Sequence, residues 1–113
     1  MPSKLSILYW KEIPVQVKAE NEETSVSFPL DPRFQEAADS LAMFDGSYGS
    51  DEYLDAWQWS EPIKSDLNPN EAATQLADRI SRGMPKDLVS HIRDLQNAGK
   101  RDPKPGAIDH WVE

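Results

Sequence analysis

The sequence predicts an α+β domain: an N-terminal three-stranded antiparallel sheet with about four helices packed on it. Three observations carry this. Apolar residues alternate with polar ones over the first 30 positions. Helix-start pairs follow, Asp31-Pro32 and Asn68-Pro69. Apolar stripes at helical spacing then run from Phe34 to Leu95.

The first strand is expected over residues 4–10, with Leu5, Ile7 and Tyr9 on one face and Ser6, Leu8 and Trp10 on the other. A second, over 13–20, alternates Ile13, Val15, Val17 and Ala19 against Gln16, Lys18 and Glu20. Asn21-Glu22-Glu23 reads as a turn, and Val26, Phe28 and Leu30 mark a third strand near 24–29. The simplest product is a meander with one buried face.

Helices are expected to begin near Asp31, Ser50, Asn68 and Met84. The first carries Phe34, Ala37, Ala38, Leu41 and Ala42 and stops at "DGSYGS", 45–50. The second carries Tyr53, Leu54 and Trp57, with Asp51 and Glu52 in its first turn. Residues 61–69 read as a connector. The third helix carries Ala73, Leu76, Ala77 and Ile80 and ends at Gly83; the fourth opens at Pro85, carries Leu88, Ile92 and Leu95, and ends at Gly99. Residues 1–99 thus form a single domain, and 100–113 a polar Pro/Gly-rich tail with Ile108, Trp111 and Val112 near its end. Phe34, Leu41 and Leu76 are expected to pack on the face carrying Ile7, Val15, Val17 and Phe28.

At 113 residues the chain has room for one modest core, burying roughly 65% of its unfolded surface. Its formal charge of -8 disfavours phosphate backbones and anionic lipid, so neither nucleic acid nor membrane is expected as a partner. There is no cysteine, which excludes disulfides, thiol nucleophiles and thiolate metal sites, and suits the cytoplasm. The N-terminus lacks the apolar core of a signal peptide, and no run approaches the ~20 apolar residues of a membrane span.

Catalytic patterns are missing. His91 follows Ser90 on a helix, where adjacent side chains diverge by about 100°. His110 with Asp109 gives too few ligands for zinc. "DGSYGSDE" lacks the oxygen spacing of a calcium loop, and the glycines form no phosphate cradle. No cofactor and no metal are expected.

The segment Tyr9-Trp10-Lys11-Glu12-Ile13-Pro14, then Pro32-Arg33-Phe34, then Tyr53, Leu54 and Trp57, resembles the small bacterial "virulence factor" (conserved virulence factor) domain family over roughly residues 4–82. The family name records a phenotype and not a chemistry, and carries no catalytic residue over. Some longer members join this domain to an iron–sulfur-scaffold-like segment and helical repeats, so the resemblance implies an accessory or adaptor role.

The expected function is therefore non-enzymatic: a small cytoplasmic adaptor or accessory subunit that binds another protein. The one-sided sheet leaves Leu8 and Trp10 uncovered, and the proposed contact comprises Leu8, Trp10, Lys11, Glu12 and Trp111. The alternative is a small-ligand protein or enzyme subunit, active within a larger metabolic complex, with a pocket between sheet and helices lined by Tyr9, Tyr53 or Trp57.

Overall fold

A computed structural model describes residues 2–112. Strand β1 (Ser3–Trp10) turns through Lys11 and Glu12 into β2 (Ile13–Glu20), and β3 (Ser25–Pro29) follows. All pair antiparallel, as the alternation predicts. Lys11 takes a left-handed φ of 49°, the conformation a two-residue hairpin favours.

The sheet has five strands and not three. Beyond the helices α1 (Pro32–Asp45) and α2 (Asp51–Asp55), β4 (Trp57–Trp59) and β5 (Ile63–Ser65) both pair antiparallel with β1. The order is β3-β2-β1-β4, with β5 beside β1 on the same edge as β4. Trp57 accordingly leaves the helix expected for it, and the connector 61–69 contains a strand. The physical reason is the free edge of β1, whose backbone groups need partners. Ser60 bridges the two short strands: its N–H donates to Ile7 O at 2.8 Å and its Oγ accepts from Ile7 N at 2.9 Å.

A bulge corrects the face assignment of β2. Leu8 pairs with Gln16 but Tyr9 pairs with Pro14, so Val15 is an extra residue. Pro14 has no N–H to give to the ladder, and the bulge sits beside it. Ile13 consequently lies opposite Trp10, on the other face from Val17 and Ala19.

Helix α1 is capped by Asp31, whose Oδ1 accepts from Arg33 N at 3.0 Å. Helix α3 (Pro69–Gly83) is capped by Asn68, whose Oδ1 accepts from Glu71 N at 2.9 Å. It packs on β1, β2 and β3, covering Leu5, Ile7, Val17 and Ala19. Phe34 and Leu41 are fully buried, whereas Leu76, Val15 and Phe28 are half-buried. Pro85 does not open the next helix; α4 is Leu88–Asn97. The Arg33 guanidinium instead pins the turn, donating to the carbonyls of Ser81, Met84 and Pro85 at 2.9 Å each.

The tail packs against the domain. Ile108 is 4% exposed, the Tyr9 hydroxyl donates to Asp109 at 2.7 Å, and Trp111 lies edge-on to His91 on α4. Among the described residues no helix is long and apolar enough to cross a membrane.

Candidate functional site

Side-chain bonds to distant elements gather at the β1–β2 turn. Trp10 is completely buried: Tyr53 lies 5.7 Å from its ring, and its Nε1 donates to Tyr53 O at 3.0 Å. Lys11 Nζ reaches Asp45 at 2.7 Å and Glu52 at 3.2 Å. Glu12, its side chain only 1% exposed, takes both Nε and Nη2 of Arg101 at 2.8 Å each. Arg101 Nη1 then reaches Asp45 at 3.1 Å, so Asp45 joins the two cations. A bidentate pair with its remaining donors satisfied is the arrangement a buried carboxylate requires.

These contacts set the charge states. Burial alone would raise the Asp45 carboxyl, but hydrogen bonds from Lys11 and Ser47 outweigh it and hold the pKa below its ordinary value. Burial would ease the proton off Arg101; Glu12 and Asp45 outweigh that and hold it on. Burial, then the bond to Asp39, pushes the Tyr53 hydroxyl up to about 12. Burial, then Asp109, raises Tyr9 further.

The structure encloses much of the segment expected to make the partner contact. Trp10 and Glu12 are enclosed, Lys11 is occupied by two carboxylates, Leu8 is half-buried, and Trp111 is half-buried against α4. At that end of the sheet Tyr53 of α2 packs on Trp10, and the tail lies by Tyr9. Opening the turn to expose Trp10 would strand buried charges.

Two of the surface clefts are lined by charged side chains. One, of about 330 Å³, lies beside the ion cluster and is lined by Lys11, Asp45, Glu52, Gln96 and Arg101. The other, of about 690 Å³, lies at the opposite end of the sheet, among Lys4, Glu20, Glu22, Lys64 and Asp66. Tyr9, Tyr53 and Trp57 line neither. No group of three or more histidines and carboxylates among the described residues is placed to hold a metal ion.

What sequence reasoning missed is an exposed apolar surface. Met43, Phe44, Tyr48, Leu54, Trp59 and Ile63 are 41–66% exposed, and all lie within residues 43–63. Lys18 lies over the Trp59 ring at 4.6 Å and Arg93 over Phe44 at 5.7 Å. Met43, Tyr48 and Leu54 have no such cover, and at 62%, 58% and 66% are the most exposed. The backbone brings their segments together: Tyr48 N donates to Ala42 O, one residue before Met43, and the Tyr48 ring packs on Tyr53, one residue before Leu54. One signal stood in the sequence. From Phe34 to Ile63 there are seven carboxylates and no Lys or Arg.

Compared with known proteins, residues 8–92 match the family model described as "Virulence factor". No curated protein and no solved structure matches the chain.

Proposed function

The chain belongs to the virulence factor family, and from its surface we propose that it is a non-enzymatic adaptor or accessory subunit that binds another protein. One observation carries this reading: among the described residues, the six large exposed apolar side chains fall in one 21-residue stretch, 43–63. Scattered exposed apolar residues are ordinary, but gathered ones mark association. The contact centres on Met43 at the end of α1, Tyr48 in the loop that follows, and Leu54 on α2. The cytoplasmic setting expected from the sequence belongs to this proposal. The small-ligand alternative has weaker support, because the cations of the cleft beside Lys11 are already paired with Glu12, Asp45 and Glu52.

The test is a photoreactive residue placed at Leu54, with a second placed at exposed Gln75 on α3 as control. The expected result is a discrete protein adduct from position 54 in living cells and none from position 75. No adduct at 54, or equal capture from both positions, refutes the reading.

A further inference from the structure

Two exposed carboxylates stand beside the uncovered Leu54. Asp51 and Asp55 flank Leu54 on the same short helix, and both are exposed. Glu36 and Glu61 are exposed as well, and none of these four enters an ion pair among the described residues. No Lys or Arg occurs between Phe34 and Ile63 to neutralise them. Of the cations that reach this region, Lys11 and Arg101 are held by Asp45, Glu52 and Glu12, and Arg93 lies over the Phe44 ring.

The protein also shows how cationic heads sit on these aromatics. Lys18 covers Trp59 and Arg93 covers Phe44, each supplied from another element of the fold. Tyr48 presents the same kind of ring, 58% exposed, without such a partner among the described residues.

Resting on the protein-binding reading above, we infer that the surface around Met43, Tyr48 and Leu54 receives a basic amphipathic segment of a partner protein. Its apolar side chains cover Met43 and Leu54, and its Lys or Arg heads meet Asp51, Asp55 and the Tyr48 ring. Charge complementarity selects this occupant. An acidic segment, a second copy of this acidic chain, a phosphate backbone and an anionic bilayer would all meet repulsion here.

The test measures binding of the full chain to a synthetic helical peptide of leucine and lysine at amphipathic spacing. A composition-matched scrambled peptide, a leucine–glutamate peptide, single-stranded poly-U and phosphatidylserine vesicles are run beside it. The amphipathic basic peptide is expected to bind, and more weakly as salt rises. Met43→Ser with Leu54→Ser, which alters no charge, should weaken it about tenfold, as should Asp51→Asn with Asp55→Asn. Glu22→Gln with Glu23→Gln, at the exposed turn before β3, should leave it unchanged. If the serine pair unfolds the chain, Leu54→Lys takes its place and should also weaken binding.

Equal binding of the scrambled peptide, no loss in the serine pair, or preference for the acidic peptide, RNA or vesicles overturns the inference. The two experiments separate the claims. A protein captured at position 54 whose contact segment is not basic sinks this inference and leaves the protein-binding reading standing; no capture at 54 sinks the reading itself.

Discussion

Removing Arg101 is the sharpest test of how the fold is closed. The Arg101 side chain is 7% exposed and Glu12 1%. Arg101→Ala leaves Glu12 without its two 2.8 Å contacts and without access to water. Asp45, 9% exposed, keeps Lys11 at 2.7 Å and is less affected. Breaking a buried pair from one side costs about 3–5 kcal/mol, because the desolvation of the remaining charge is no longer offset. For a chain of this size, with about 4 °C in Tm per kcal/mol, the expected drop is about 12–20 °C. Urea unfolding followed by tryptophan fluorescence measures the loss. Adding Glu12→Gln to Arg101→Ala should recover part of it, since an amide needs no counter-ion, and the pair should show strong coupling. A loss under about 1 kcal/mol, the range of exposed pairs, would refute the claim that Glu12 is closed off from water.

Other outcomes follow from the same contacts. Glu52 is 69% exposed, so Glu52→Gln should cost under about 1 kcal/mol in the same melt despite its contact with Lys11. Phe34→Ala, at a fully buried site, should cost about 3–5 kcal/mol, and Phe28→Ala, on a half-buried edge strand, clearly less; equal losses would invert the packing described. Asp45 is depressed in the fold, so its contribution is present above pH 3.8 and is lost as pH falls through its lower folded value; Asp45→Asn should flatten the acid limb of stability against pH. Tyr53 is raised, so its contribution is present below pH 10.0 and is lost as pH rises towards about 12; phenolate absorbance of wild type against Tyr53→Phe reports it.

What was legible in the sequence was what is local. The alternation of β1 to β3 and the Asp31 and Asn68 caps each lie within a few residues, and the structure places all of them. What was not legible depends on partners far along the chain. Strands β4 and β5 are three residues each, too short to show a period, and exist because β1 offers an edge. An extra residue at Val15 leaves apolar alternation intact in the sequence while moving Ile13 to the other face. Pro85 has the right chemistry to open a helix, but Arg33, 52 residues away, holds its carbonyl in a turn. The need to cover Trp10 could be read from its place on the strand; that α2 would do so could not. Glu12 and Arg101 are 89 residues apart, beyond any local pattern.

The family match ends at Ile92, but the charge balance does not. Glu12 lies inside the matched segment and its cation outside it. A carboxylate held away from water without its cation is unfavourable by several kcal/mol, so the closing residue is part of the fold wherever the recognisable sequence stops. The chain reaches it by a simple route. Helix α4 runs to Asn97, Gly99 takes a φ of 73° that L residues avoid, and Lys100 N bonds back to Leu95 O at 2.8 Å. Arg101 follows at once, between Glu12 and Asp45. Asp45 is the last residue of α1, directly after Met43 and Phe44 and three positions before Tyr48. The arginine that neutralises the buried turn therefore also anchors the backbone beneath the exposed apolar surface. Loss of binding in a variant lacking residues 100–113 would thus report the support of that surface and not a contact made by the tail.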